Sequence, residues 1–273
     1  MSVFNTLEIY PTNQCQLACT ECSLHRGNES WNELMLESVI RSKIFSKISS
    51  EIVILGGEPT MWPYLEILIA AIRSQNHRCA ITITSNGLSI SKEFIETCKI
   101  YNAKISISWH GYDSIIETAV KLNQKKLLKN IIFTPATSNV FSKYESLKLL
   151  FGDKCVFRPL VGSSKIKNFV SFNNKRLSEY CGKNQVRTQS FERSINGISK
   201  NNLELIKSLD YSKHKCKCGN NAVLYTDGNL YHCLSQAIVH KDPINMYSVE
   251  RKNPWIDCKY EFCCCDTFDL RTK

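Results

Sequence analysis

Three cysteines near the start of the chain have the spacing of a metal-binding loop. Cys15, Cys19 and Cys22 lie in the stretch CQLACTEC, with three residues between the first pair and two between the second. Structural zinc sites and closed iron–sulfur clusters take four protein ligands. Three thiolates therefore leave one coordination position for another molecule, and this pattern predicts a reactive iron site. A zinc knuckle or three buried structural thiols is the alternative interpretation of the cysteines.

Two glycine-containing motifs follow the cysteine loop along the chain. GGEP spans Gly56–Pro59 and TSNG spans Thr84–Gly87. Together with TNQCQLACTEC, their order and spacing resemble the signature of the radical S-adenosylmethionine (radical SAM) superfamily. The resemblance implies that the three cysteines hold a [4Fe-4S] cluster and that SAM chelates its fourth iron. One position departs from the family pattern, because Glu21 occupies the site of an aromatic residue that usually contacts the adenine.

The same resemblance implies which residues contact SAM. The GGEP motif receives the SAM amino group, with Glu58 contributing and with two glycines that let SAM approach the backbone closely. Ser85 and Asn86 offer short polar groups for the ribose or the carboxylate, although these residues also fit an ordinary Asn-Gly turn. An arginine guanidinium pairs bidentately with a carboxylate. The predicted SAM-contacting residues are Gly56, Gly57, Glu58, Pro59, Ser85, Asn86, Ser108 and Arg158.

Strand and helix patterns alternate through the first 160 residues. A β-branched run such as Ile52–Leu55 is typical of a parallel strand buried on both faces. Apolar residues that recur on one face, as from Leu36 to Ile48, indicate a helix. The alternation predicts six β/α steps and a parallel sheet. Predicted strands cover residues 7–10, 52–55, 80–84, 104–108, 130–134 and 155–158, and predicted helices cover 36–48, 65–72, 93–101, 114–122 and 142–150.

A parallel sheet would also bring the motifs together. Ligand sites in such folds lie at the C-terminal ends of the strands. The cysteine loop follows the first predicted strand, and GGEP, TSNG, SWHG, TPATSN and Arg158 follow the next five in turn. We therefore expect all six segments to line one face. The resemblance implies the partial (β/α)6 TIM-like barrel of radical SAM enzymes, whereas the periodicity also admits an open doubly wound sheet. His110, within SWHG, is expected to be packed or exposed instead of catalytic.

The pattern changes beyond this core. Residues 161–213 contain many Asn, Ser and Lys residues and no clear strand pattern, so we interpret them as a bridge that lines the substrate mouth, with a short helix at 202–209. A hairpin is predicted further on, since Leu224-Tyr225-Thr226 and Leu230-Tyr231-His232 flank the turn signal Asp227-Gly228. The predicted domains are a radical SAM core (1–160), the bridge (161–213) and a small cysteine-rich tail (214–273).

Cysteines in the tail resemble part of a second iron–sulfur site. From Cys218 to Cys233 the sequence reads C-x9-G-x4-C, as at the opening of the SPASM and Twitch domains that hold auxiliary [4Fe-4S] clusters in some radical SAM enzymes. The last three cysteines are consecutive and cannot all reach one cluster, so we predict one auxiliary cluster, with structural zinc as the alternative. The favoured ligands are Cys218, Cys233, Cys258 and one of the final three, with Cys216 as a substitute for Cys218. The full candidate set is Cys216, Cys218, Cys233, Cys258, Cys263, Cys264 and Cys265.

Composition limits the class of protein. Of the 273 residues 43% are hydrophobic, which is enough for a core. The longest purely apolar run is Ile67–Ile72, far below the ~20 residues of a membrane span. The N-terminal stretch MSVFNTLEIYPTN lacks a basic region followed by an apolar run, so we expect no signal peptide and a cytoplasmic protein. Fourteen cysteines in such a chain favour metal binding over disulfides.

The net charge of +10 is concentrated in one band of the sequence. Residues 121–176, here called the basic band, contain 12 basic and two acidic residues. Such a band is either a solvated lysine-rich face or a docking surface for an acidic partner. Its aromatic residues fall mostly on predicted core faces and do not interleave with the lysines as in proteins that stack bases. A nucleic-acid partner is therefore possible but not favoured.

The resemblance implies the reaction type but leaves the substrate open. We expect a radical SAM enzyme that abstracts hydrogen from a peptide or protein side chain, because SPASM-type tails are most often met in such enzymes. Oxidation of a sugar or other small molecule, modification of a nucleic-acid base, and a non-catalytic iron–sulfur or zinc module are the alternatives. An electron donor such as flavodoxin or ferredoxin is the expected partner, with no membrane association.

Overall fold

The structure, a computed structural model, describes most of the first 184 residues and shorter stretches of the tail. Described residues are 3–19, 22, 24, 27–136, 139–158, 167–184, 215–216, 221–234, 236–240, 243–247 and 256–257. The short helix predicted at 202–209 lies outside them. Within the described ranges, no helix is long and apolar enough to cross a membrane.

Strands and helices alternate as the sequence predicted, and ten strands are present in the described residues. The strands are β1 (Phe4–Ile9), β2 (Ile48–Ile54), β3 (Ala80–Ser85), β4 (Ala103–Trp109), β5 (Leu128–Phe133), β6 (Cys155–Phe157), β7 (Lys215–Cys216), β8 (Asn221–Leu224), β9 (Leu230–Tyr231) and β10 (Ile256–Asp257). The α-helices are α1 (Glu33–Arg41), α2 (Leu65–Gln75), α3 (Lys92–Ile100), α4 (Ile115–Gln124), α5 (Val140–Phe151) and α6 (Lys167–Asn184). Single turns of 3₁₀-helix cover Ile44–Lys47, Pro59–Met61 and Gly152–Lys154, and a π-helical turn covers Gln236–His240.

The strand order identifies a partial barrel. Eight strands form one sheet in the order β6-β5-β4-β3-β2-β1-β8-β9. Neighbours from β1 to β6 pair in parallel, each strand with the next one along the chain. A doubly wound sheet reverses its order at a switch point, and this sheet does not. Right-handed crossovers that always step in one direction place their helices on one face. The predicted partial (β/α)6 barrel is confirmed, and it is open.

Isoleucine side chains fill the space between the sheet and its helices. Ile52, Ile54, Ile81, Ile83 and Ile105 are at most 1% exposed. Burying each such side chain contributes about 1.5–3 kcal/mol. Because successive strand residues point to opposite faces, the residues between them face the barrel interior, where several of them are polar.

Helix α1 ends earlier than the sequence predicted. Its N-cap is Asn32, whose side chain accepts the backbone N–H of Met35 at 2.9 Å. The chain leaves the helix after Arg41, and Lys43 then takes a left-handed conformation with φ of 55°. The predicted extension of this helix to Ile48 is therefore wrong. Residues 44 and 48 are buried in the same core, but they reach it from a 3₁₀ turn and from the start of β2.

A long helix lies in the segment that we interpreted as an irregular bridge. Helix α6 contains 18 residues and includes mostly polar side chains. Leu177 is 3% exposed, and the Tyr180 ring stacks on Phe141 with centroids 4.4 Å apart. A few apolar residues are enough to anchor this helix against α5. Because most of the other residues are polar, the sequence shows only a weak apolar periodicity and the helix was not predicted.

The predicted tail hairpin is confirmed, and it joins the barrel sheet. Strand β8 pairs in parallel with β1, and β9 returns antiparallel to β8. Gly228 in the turn has a φ of 76°, a conformation that favours glycine. The indole N–H of Trp31 donates to the carbonyl of Tyr225 at 2.7 Å and ties the hairpin to the segment that follows the cysteine loop. The domain boundary near residue 213 remains a prediction.

Candidate active site

One open cavity lies at the C-terminal ends of strands β1 to β6. Its space, part of it open solvent, amounts to about 1150 Å³. The sequence predicted that six segments would meet on this face, and each of them contributes at least one residue to the lining. The lining residues are Tyr10, Asn13, Cys15, Leu17, Cys19, Cys22, Leu24, Leu55, Gly56, Gly57, Thr84, Ser85, Asn86, Ser108, Trp109, His110, Ile132, Thr134, Arg158 and Leu234.

The two glycines of GGEP fit against the backbone of the cysteine loop. The Gly57 N–H donates to the Thr12 carbonyl at 2.8 Å, and the next N–H donates to the Gln14 carbonyl at 2.7 Å. A Cβ at Gly57 would lie 2.1 Å from the Gln14 carbonyl oxygen. Gly56 has a φ of 140°, and a Cβ there would lie 2.5 Å from the Thr12 oxygen. Both glycines also line the cavity, and their predicted contact with SAM remains a prediction.

Glu58 is completely buried and joins two strand ends. One carboxylate oxygen accepts from the Thr60 N–H at 3.1 Å, the Thr60 hydroxyl at 2.6 Å and the Ser85 hydroxyl at 2.8 Å. The other oxygen accepts from the Asn86 N–H at 2.7 Å. Glu58 is 0% exposed and does not line the cavity. Through these hydrogen bonds it positions residues 85–86. Its contact with SAM remains a prediction.

All three N-terminal cysteines line the cavity, and their donor chemistry fits an iron–sulfur cluster, whose ligands are thiolates. Cys15 and Cys19 are half-buried, and Cys22 is exposed. Burial raises the pKa of the Cys15 thiol, so the metal-free cysteine is protonated at neutral pH, and metal binding must release that proton. Over the residues that the structure describes, no three metal-ligand side chains already converge on one point.

Two of these sulfur atoms lie near hydrogen-bond donors. The Leu17 N–H donates to Cys15 Sγ at 3.4 Å, and the Asn86 side-chain nitrogen lies 4.0 Å from the same sulfur. His110 Nδ1 lies 3.5 Å from Cys19 Sγ. The sequence analysis expected His110 to be packed or exposed; the structure places it in the cavity, half-buried, beside a predicted cluster ligand.

The remaining predicted SAM contacts are divided between the cavity and the core. Ser85, Asn86, Ser108 and Arg158 line the cavity. Pro59 does not line it; this residue is buried and begins the 3₁₀ turn after Glu58. The Arg158 backbone N–H donates to the Phe133 carbonyl at 2.8 Å, which fixes this residue at the end of β6.

Sequence reasoning assigned no role to several lining residues, among them Asn13 and Trp109, although both lie in segments that it expected at this face. Asn13 Oδ1 and Trp109 Nε1 are buried and have no hydrogen-bond partner among the described residues. The Asn13 amide nitrogen donates to the Glu29 carboxylate at 2.7 Å, and a carboxylate only accepts, so the amide orientation is fixed. In the sequence, Asn13 lies two residues before Cys15, and Trp109 lies within SWHG.

The tail reaches the cavity through Leu234, which follows the buried Cys233. Cys216 lies in β7, where it pairs with Ile256 of β10, two residues before Cys258. No sequence signal connected residue 234 with the cavity, because only the pairing of β8 with β1 brings it there. The other predicted tail ligands, Cys218, Cys258, Cys263, Cys264 and Cys265, lie outside the described residues.

The sequence profile of the Radical SAM superfamily matches residues 9–162, which include every one of the converging segments except the tail. The chain belongs to the radical SAM superfamily. It is therefore an enzyme of the superfamily that uses a [4Fe-4S] cluster and SAM. A search of curated protein sequences finds no match to this radical SAM enzyme.

Solved structures support the fold of this radical SAM enzyme. One is anSMEcpe with bound AdoMet, at 19% identity and a TM-score of 0.60, with 90% of this chain and 78% of that chain covered. Another is anSMEcpe with AdoMet and the Cp18Cys peptide, at 18% identity and a TM-score of 0.59, covering 89% and 78%. A third is Streptococcus suis SuiB bound to the precursor peptide SuiA, at 16% identity and a TM-score of 0.57, covering 90% and 63%. At these identities the likeness establishes the fold.

Proposed function

We propose that this radical SAM enzyme abstracts hydrogen from a peptide or protein side chain. The observation that carries the proposal is the meeting of the cysteine loop, the glycine turn and four further strand ends around one cavity. The hydrogen bonds from Gly57 and Glu58 to the cysteine loop hold that loop over the ends of β1 and β2. A position between three thiols and polar strand ends suits a bound SAM molecule.

The chain's own residues have distinct roles in this proposal. Cys15, Cys19 and Cys22 hold the cluster, and Ser85, Asn86, Ser108 and Arg158 bind the polar groups of SAM. A cluster held by these cysteines would supply the single electron needed for cleavage of SAM to methionine and a 5′-deoxyadenosyl radical. Leu17, Leu55, Trp109, Ile132 and Leu234 supply apolar lining, which keeps water away from a reactive radical.

A peptide substrate is supported by two of the structural neighbours. The anSMEcpe structure contains the Cp18Cys peptide, and the SuiB structure contains the precursor peptide SuiA. Both share the fold of this enzyme, and fold likeness is a guide to substrate class but not proof of it. Oxidation of a sugar or another small molecule remains the alternative within the same chemistry.

The basic band gives little support to a nucleic-acid substrate. Among the described residues of the band, four lysines pair with carboxylates. One of these pairs lies between strands and not on a helix surface: Lys129 of β5 binds Glu51 of β2. The Thr82 hydroxyl donates to the same Glu51 carboxylate at 2.5 Å. The other three pairs are Lys121 with Glu117, Lys125 with Glu96, and Lys143 with Asp113. These ion pairs lower the positive electrostatic potential that the lysine content of the basic band suggested.

We also propose one auxiliary [4Fe-4S] cluster held by tail cysteines. Cys233 precedes the cavity residue Leu234, and the β7–β10 pairing brings the strand of Cys216 next to the strand that Cys258 follows. The predicted ligands are Cys218, Cys233, Cys258 and one of the final three cysteines, with Cys216 as the substitute. Zinc at the same cysteines is the competing interpretation.

The first experiment separates an enzyme from a non-catalytic metal module. Protein reconstituted with iron and sulfide under anaerobic conditions is incubated with SAM and a reductant, either dithionite or a flavodoxin or ferredoxin system. Wild-type protein should release 5′-deoxyadenosine, and the triple variant Cys15→Ala, Cys19→Ala, Cys22→Ala should release none while it retains tail-bound iron. SAM cleavage by the triple variant would refute the ligand assignment. Mössbauer spectra and metal analysis of that variant test the tail, since zinc or no metal there contradicts the auxiliary cluster.

The second experiment tests the substrate class. The reconstituted enzyme is incubated with SAM, reductant and host extract separated by size, and mass spectrometry follows which compound changes mass. A peptide substrate predicts activity in the peptide fraction that protease digestion removes and nuclease digestion leaves intact. Activity that resists protease and lies in the small-molecule fraction would favour the sugar or metabolite alternative.

A further inference from the structure

We infer that His110 donates a hydrogen bond to the Cys19 sulfur of the SAM-cleaving cluster and makes that cluster easier to reduce. The inference rests on the proposed role of Cys15, Cys19 and Cys22 as cluster ligands. It assigns to His110 a positioning and tuning role toward the cluster, and no role in binding the substrate.

The fold holds His110 next to the cysteine loop. His110 Nδ1 lies 3.5 Å from Cys19 Sγ, and both residues line the cavity. The preceding residue, Trp109, ends β4 and is 2% exposed, with its ring 5.6 Å from that of Phe133. The following residue, Gly111, has a φ of 92°, so the chain turns away directly after the histidine. A buried anchor on one side and a sharp turn on the other leave the imidazole little freedom to move away.

The chemistry of the sulfur determines the direction of the hydrogen bond. A cysteine thiol both donates and accepts, whereas an iron-bound thiolate has lost its proton and only accepts. In the loaded enzyme this contact therefore requires the proton to be on Nδ1 of the histidine. A donor at a cluster sulfur stabilises the added negative charge of the reduced state, which raises the reduction potential. The SAM-cleaving reaction starts from that reduced state.

The Cys15 sulfur provides a useful comparison. It accepts the Leu17 backbone N–H at 3.4 Å, and the Asn86 side-chain nitrogen lies further away at 4.0 Å. Only proline would remove the backbone donor, and its ring would also restrict the loop. Asn86 has other hydrogen bonds to residues 16 and 88. His110 is thus the side chain at which one sulfur contact can be tested with the least disturbance.

The test measures the reduction potential of the reconstituted cluster by EPR-monitored redox titration without SAM. His110→Phe keeps a ring and removes the donor, whereas His110→Asn keeps a donor near the position of Nδ1. We expect a more negative potential for His110→Phe, and a value near that of the wild type for His110→Asn. His77→Phe is the matched control, because His77 is exposed and lies before β3, at the opposite end of the sheet from the cavity. An unchanged potential in His110→Phe, or equal shifts in both His110 variants, would overturn the inference.

A second measurement remains decisive if His110→Phe does not retain its cluster. Protein with ¹⁵N-labelled histidine should show a weak nitrogen coupling to the reduced cluster, and His110→Asn should lose it. No coupling, or a coupling as large as that of a directly bound nitrogen, would contradict a hydrogen bond to sulfur. Failure of the proposed function has a different signature, since the same redox signal would then survive in the triple cysteine variant.

Discussion

The Glu58 carboxylate accepts the backbone N–H of Asn86 at 2.7 Å, and this bond connects the turn after β2 to the turn after β3. The same side chain binds the Ser85 hydroxyl and both the N–H and the hydroxyl of Thr60. All four partners are donors, so a carboxylate satisfies them and an amide does not. The acidic residue of GGEP thereby positions the next motif along the sheet.

Replacement of Glu58 by glutamine should destabilise the protein although the side chain keeps its shape. The amide nitrogen of the variant would face donors, and we expect a loss of about 2–3 kcal/mol in the free energy of unfolding. Chemical denaturation of the metal-free protein measures this loss. Glu37→Gln on the exposed face of α1 is the control and should change stability by less than about 0.5 kcal/mol. Equal stability of Glu58→Gln and wild type would contradict the positioning role.

Substitution of Gly57 by alanine should displace the cysteine loop. The new Cβ would lie 2.1 Å from a backbone oxygen of that loop, which cannot rotate away. We expect a loss of about 1–3 kcal/mol in stability and a lower iron content after reconstitution. Gly27→Ala is the control, because the nearest atom to its Cβ lies at 3.8 Å. If Gly57→Ala protein binds as much iron as the wild type, the close packing at Gly57 is not needed for the site.

The tail hairpin should be required for the stability of the barrel. Ala222 in β8 is 0% exposed and belongs to the same hydrophobic core as β1. Ala222→Asp would bury an unpaired charge there, and we expect a loss of about 3 kcal/mol or more. Circular dichroism should show the barrel and the hairpin unfolding together at a lower temperature. Asn221→Asp, one residue earlier and only half-buried, is the control; an unaffected barrel in Ala222→Asp would show that the hairpin folds independently.

Substitution of two lysines of the basic band should change the stability of the protein by different amounts. Lys129 binds Glu51, whose side chain is 16% exposed, whereas Lys121 and its partner Glu117 are 58% and 78% exposed. Lys129→Met would remove the ion-pair partner of a partly buried carboxylate that keeps its hydrogen bond from Thr82, and it should cost about 1–2 kcal/mol, since solvent still screens the pair. Lys121→Met should change stability by less than about 0.5 kcal/mol. Denaturation of the two variants measures the difference, and equal effects would contradict an interior role for Lys129.

Three cysteines outside the predicted metal sites should resist alkylation in the folded protein. Cys79, Cys98 and Cys155 are buried, and burial raises the pKa of all three thiols, to about 12 for Cys98 and Cys155. Because the thiolate is the reactive form, we expect little iodoacetamide labelling at pH 8 and faster labelling of the exposed Cys22. Peptide mass spectrometry of metal-free protein quantifies each site, and denaturant should remove the difference. Rapid labelling of Cys98 in the folded protein would contradict its burial.

The sequence by itself determined the alternation of strands and helices and the segments that meet at the cavity. Its β-branched runs and apolar periodicities predicted the strands and most helices, because burial against a sheet requires apolar residues at regular spacing. Since parallel strands end on one edge, the motifs after six strands had to meet there. At residues 44–48 the apolar spacing did not distinguish a helix from a turn followed by a strand. The spacing also failed to predict α6, because only a few of its side chains, such as Leu177, pack against the core.

The tertiary structure decided what individual side chains do. Only the folded backbone shows that Gly57 packs against the backbone of the cysteine loop. It also shows that the Glu58 carboxylate accepts a hydrogen bond from the next turn. His110 is 91 residues from Cys19 in the chain, and no local pattern encodes their contact. The same holds for the tail hairpin, which a turn signal predicts but which only its pairing with β1 places beside the cavity. Such contacts join residues far apart in sequence, and their partners are selected by the packing of whole strands, not by local spacing.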